Sequence, residues 1–93
     1  MAEEIHTLVV DDEEGIRFFL EETLRRAGYV VVMAASGEEA LERLRETPFD
    51  LVMLDLMLGG RVDGLRVLEA IRWRWPETVV VMLTGHGTLE SAM

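Results

Sequence analysis

Four side chains able to carry polar chemistry stand at the carboxyl ends of apolar runs. Asp11 and Asp12 follow HTLVV, Asp55 closes FDLVMLD, and Thr84 closes TVVVMLT. An ionised carboxylate among large apolar residues is costly unless it is paired or metal-bound. Asp55 therefore either ends a buried run or does chemistry where the run ends. If the runs are strands pointing one way, Asp11, Asp12 and Asp55 share one rim. Carboxylates so placed repel, and at least one pKa rises unless a cation is present. Hard oxygen ligands in this number suit Mg²⁺, which keeps several waters and favours phosphate partners. Each residue alone has a plainer role. A lone Asp at a strand end is commonly a turn residue or a helix cap, DDEE is a solvated helix start favoured by the macrodipole, and Thr84-Gly85 is a turn. Their joint occurrence, in this order on these runs, argues against accident.

The elements that would position them follow from apolar spacing. HTLVV (6–10) is short and β-branched and reads as a buried strand. Ile16, Phe19, Leu20, Thr23, Leu24 and Ala27 recur at steps of three and four, one face of a helix that Gly28 stops. Glu21–Arg25 and Glu22–Arg26 are favourable i,i+4 pairs on its wet side. YVVVMA (29–34) is a second strand. Ser36 and Glu39 form a capping box that opens a second helix, carrying Ala40, Leu41 and Leu44 until Pro48 ends it. FDLVMLD is a third strand and GGRVDG a loop. A third helix carries Leu65, Leu68 and Ile71 as far as Trp75-Pro76. TVVVMLT (78–84) is a fourth strand, GHG a turn, and TLESAM the opening of another helix. Apolar strands alternating with helices predict an α/β fold with a parallel sheet covered on both faces. In such a sheet chemistry gathers beyond the carboxyl ends of the strands.

Composition agrees with one small domain over residues 1–93. Of these residues 49% are hydrophobic, enough for a packed core. No apolar run approaches membrane-spanning length, and no secretory leader is apparent, so a cytoplasmic protein without membrane contact is expected. Cysteine is absent, which excludes disulfides and thiolate metal sites. The net charge of −9 opposes nucleic-acid binding by this segment.

VVDDEEGIR, then FDLVMLDLML with DG downstream, then VVVMLTGHG, together resemble the receiver domain of two-component response regulators, and the resemblance covers the whole chain. It implies a flavodoxin-like, doubly wound parallel sheet of order 2-1-3-4-5. It implies that Asp55 is the phosphoacceptor for a phosphoryl group from a sensor histidine kinase. Asp12 would be a direct Mg²⁺ ligand, Asp11 a ligand mostly through water, and the backbone carbonyl of Met57 a further ligand. Thr84 would be the switch hydroxyl. The implied function is signalling, not enzymatic in the usual sense, with a transcriptional output, since GHG after Thr84 resembles receivers of transcriptional activators.

The chain also departs from that pattern. The family has a lysine at the end of a fifth strand; all nine basic residues here are arginine. The chain reads as a receiver incomplete at its C-terminus, lacking the fifth strand and the last helix. The fourth strand would then be an exposed edge, and such edges invite pairing, so a homodimer or domain swap through it is expected. Gly59-Gly60 replaces the family's loop proline, in a loop one residue longer.

Three rivals are weighed against this reading. A haloacid-dehalogenase-type phosphatase wants a second Asp where Met57 stands. A Rossmann nucleotide site wants glycines where DDEEG stands. A receiver-like interaction module that works without phosphorylation fits the missing lysine but gains nothing from clustered carboxylates. Elsewhere, His86 reads as a loop residue and His6 as a strand start. Trp73 and Trp75 cannot both face the core, and most of the six methionines read as core filling.

Overall fold

The computed structural model describes residues 4–83 and the backbone of 89–92. Four parallel strands and three helices alternate: β1 (His6–Val10), α1 (Glu14–Arg26), β2 (Val30–Ala34), α2 (Gly37–Glu46), β3 (Leu51–Asp55), α3 (Gly64–Arg74) and β4 (Val79–Leu83). A further strand, β5 (Leu89–Ala92), completes a sheet of order β2-β1-β3-β4-β5. β1 and β3 are central neighbours, so the two strands that lead to acidic residues lie side by side.

The strands read as continuous apolar runs because both faces are covered. Leu8, Val10, Val52, Leu54 and Val80 pack with Ala40 and Leu44 of α2 and Val67, Leu68 and Ile71 of α3. On the other face Val9, Val31, Met53 and Leu83 form a smaller cluster, against which Leu20 and Leu24 of α1 are half-buried. Ser36 Oγ accepts from the Glu39 N–H at 3.1 Å, the expected side-chain cap of α2, while Glu39 Oε1 accepts from the Ala35 N–H at 2.6 Å, one residue before the Ser36 N–H of a standard capping box.

Several expectations are corrected. Residues 89–92, read as a helix opening, form a strand antiparallel to β4, with Leu83 opposite Leu89 and Val80 opposite Ala92. Only residues 84–88 separate the two strands. A parallel return needs a crossover of about a dozen residues or more, whereas an antiparallel one does not. The outer edge of β4 is therefore occupied, and the expected dimer or swap through an exposed fourth strand loses its premise. No residue of α1 is fully buried, and Ile16 and Phe19, assigned to its inner face, are 40% and 65% exposed. In α3 the inner stripe is Val67, Leu68 and Ile71, while Leu65 points outward. Trp75 packs on the core and Trp73 is 87% exposed. Met57, unlike Met53, is exposed.

Candidate functional site

Register brings the acidic residues together. Val10 pairs with Leu54, so Asp11 and Asp55, each the next residue on, leave adjacent strands at the same level. One carboxylate oxygen each from Asp11, Asp12 and Asp55 lies within 4.8 Å of the others. Asp11 and Asp55 are buried, 5% and 9% exposed, and Asp12 is exposed on the loop before α1. No arginine forms an ion pair with any of the three among the described residues.

The surrounding backbone fixes these groups. Asp11 Oδ1 accepts from the Glu13 N–H at 2.9 Å, and Asp55 Oδ1 accepts from the Met57 N–H at 2.8 Å. Each bond is a local turn that aims a carboxylate while leaving its second oxygen without a hydrogen bond among the described residues. The Asp11 N–H donates to the Ala34 carbonyl at 3.2 Å, which carries the β1–β2 ladder into the site. Gly64 opens α3 directly behind Asp55. A Cβ there would collide with the Asp55 carbonyl and the Leu56 backbone, so only glycine permits this approach. Gly60 holds a φ of +92°, in the region glycine alone enters freely. The neighbouring Gly59 faces Asp12 Oδ2, a built Cβ lying 4.0 Å from it.

Electrostatics follow from this crowding. Burial pushes the Asp11 carboxyl above the usual aspartate range, with repulsion from Asp55, Asp12 and Glu13 adding to it and the Glu13 N–H partly opposing it. A cluster of hard oxygens without a protein cation among the described residues fits a divalent metal such as Mg²⁺, whose other positions water would fill.

Of the residues predicted from sequence, Asp11, Asp12 and Asp55 are thus brought together. Met57 lies beside them with its N–H engaged and its side chain exposed. Thr84 and His86 lie outside the described residues, although β4 approaches with Leu83 opposite Asp55. Sequence reasoning missed two contributors. Gly64 stands in the sequence as a loop residue and as the glycine of the DG motif, and neither reading signals its close packing behind Asp55. Arg17, within the quoted VVDDEEGIR but given no role, donates from Nη1 to the Asp11 carbonyl at 2.7 Å.

Comparison with known proteins adds the family context. The response regulator receiver domain family model matches residues 7–93. An NtrX-like response regulator of Rickettsia conorii is 41% identical over 91 residues, 97% of this chain and 19% of that protein. The transcriptional regulatory protein ZraR of Escherichia coli is 38% identical over 89 residues, 96% of this chain and 20% of that protein. The chain thus spans about a fifth of the length of these curated relatives. The response regulator protein TrrA of Thermotoga maritima, solved in complex with Mg(2+)-BeF, superposes with a TM-score of 0.82 at 39% identity, covering 88% of this chain and 72% of that one.

Proposed function

The chain belongs to the response regulator receiver domain family, and from that premise we propose that it accepts a phosphoryl group on Asp55 from a sensor histidine kinase, with Mg²⁺ held by Asp11, Asp12, Asp55 and the Met57 carbonyl. The observation that carries this reading is the convergence of three carboxylates at the carboxyl rim of β1 and β3. The Mg(2+)-BeF complex of TrrA supports it by likeness.

The chain's own residues suit that work. The Met57 N–H holds Asp55 Oδ1, so Oδ2 is the oxygen free to attack phosphorus as the bond from phosphorus to the histidine nitrogen breaks. The electron pair of that bond stays with the imidazole. Asp11 and Asp12 would hold the cation, which would supply charge to neutralise the carboxylates and the phosphoryl oxygens. Thr84 is the switch hydroxyl that turns toward the new phosphoryl group. Receiver domains are signalling domains, and the kinship with ZraR supports a transcriptional output carried by another part of the protein. Among the described residues no helix is long and apolar enough to cross a membrane.

Intact mass before and after acetyl phosphate with Mg²⁺ tests the proposal. The wild-type chain gains one phosphate, and Asp55→Ala gains none. A folded wild-type chain that binds Mg²⁺ yet gains no phosphate overturns it in favour of a phosphorylation-independent interaction module.

A further inference from the structure

The three helices do not begin alike. α2 opens on Ser36, whose Oγ accepts from the Glu39 N–H, and α3 opens on Asp63, whose Oδ1 accepts from the Arg66 N–H at 2.9 Å. α1 has Glu13 at the equivalent position, and Glu13 makes no side-chain cap bond. Yet α1 is the helix whose entry carries Asp11 and Asp12. Two other bonds hold that entry. One is the turn from the Glu13 N–H to Asp11 Oδ1. The other comes from Arg17, which reaches back over the first helical turn to the Asp11 carbonyl.

The position of the second bond matters. The Asp11 carbonyl belongs to the rigid, planar peptide unit that joins Asp11 to Asp12. Fixing that plane places both Cα atoms and so narrows the directions in which both side chains leave the backbone. Carboxylates within 4.8 Å of one another repel when no cation screens them, and that repulsion bears on the entry loop. Asp12, exposed on that loop, has the most room to move. Arg17 is half-buried and forms no ion pair with a described acidic side chain. Its guanidinium acts through the carbonyl, by a short, charge-assisted hydrogen bond of 2.7 Å. With the Asp11 N–H on Ala34 and Oδ1 on Glu13, this bond leaves Oδ2 as the one oxygen of Asp11 without a hydrogen bond among the described residues.

We propose that Arg17 is a positioning residue for the metal: it straps the Asp11–Asp12 peptide so that both carboxylates are aimed at Asp55 before the cation arrives. The proposal rests on reading the acidic cluster as a Mg²⁺ site.

The test is Mg²⁺ titration calorimetry on the wild-type chain, Arg17→Met, Arg17→Lys and Asp12→Ala, with the thermal midpoint of each measured in EDTA. Asp12→Ala gives the level expected of a broken ligand set. Arg17→Met weakens Mg²⁺ binding by about tenfold, the usual scale for losing a group that orients a ligand, while its midpoint in EDTA stays close to wild type. Arg17→Lys, a long side chain still ending in N–H donors, recovers part of the affinity. Wild-type affinity in Arg17→Met overturns the strap and leaves the metal site standing. Loss of affinity in both Arg17 variants in step with a fall in midpoint also overturns it, because Arg17 then serves the fold alone. A wild-type chain that binds no Mg²⁺ removes the metal site and the strap with it.

Discussion

At the residue scale, Asp11 shows the tension in the site most directly. It is buried beside two other carboxylates, and its folded pKa is raised above its unfolded value. The folded state therefore holds the Asp11 proton more tightly than the unfolded chain does. In metal-free protein this contribution is fully present below the ordinary aspartate range and is lost as pH climbs through the raised value. Asp11→Asn keeps an oxygen for the Glu13 N–H but carries no charge, so in EDTA at pH 7 it melts above wild type. The gap narrows as pH is lowered through the raised value toward the ordinary aspartate range. Thermal unfolding across that range checks this; a gap independent of pH would count against a charge origin. The three aspartates were legible in the sequence because each ends an apolar run, a place where a carboxylate is conspicuous. Arg17 was not, because its partner is a backbone carbonyl, and nothing in residue types announces that contact.

At the element scale, the starts of the helices are the sensitive points. Ser36→Ala removes the side-chain cap of α2 and costs about 1 kcal/mol in chemical denaturation. Gly64→Ala sets a methyl group against the Asp55 carbonyl and the Leu56 backbone. Overpacking of this kind costs roughly 1–3 kcal/mol. Because the strained atoms belong to the end of β3, the variant also loses Mg²⁺ affinity in titration, whereas Ser36→Ala does not. The alternation of strands and helices through β4 was legible, since long periodic runs and cap residues mark it. The segment at 89–92 was not. TLESAM reads as a helix opening by local preference, and pairing with an open strand edge overrides that preference. Deleting residues 88–93 uncovers the β4 edge again, and light scattering then reports self-association that the full chain does not show at the same concentration.

At the scale of the whole molecule, the two faces of the sheet are unequally covered. α2 and α3 bury the larger cluster, with Ile71 only 1% exposed at its centre, and Ile71→Ala costs about 2–5 kcal/mol by denaturant unfolding. α1 covers the other face alone among the described helices and leaves Phe18 and Phe19 59% and 65% exposed. Phe19→Ser there changes stability by no more than about 0.5 kcal/mol, the contrast with Ile71→Ala being the measurement that separates the faces. Helical spacing assigned Phe19 inward because periodicity identifies a stripe without saying how much of it finds a partner. The order of the sheet also sets when the acidic rim can exist. β1 and β3 are neighbours in space but 44 residues apart along the chain, as the bond from His6 to Asp50 shows. A rim built across so long a loop is absent from the unfolded ensemble, and such distant pairings close late in folding. Mg²⁺ bound at that rim, as proposed, would then act on a clock: it would retard escape from the native state while leaving the rate of reaching it almost unchanged.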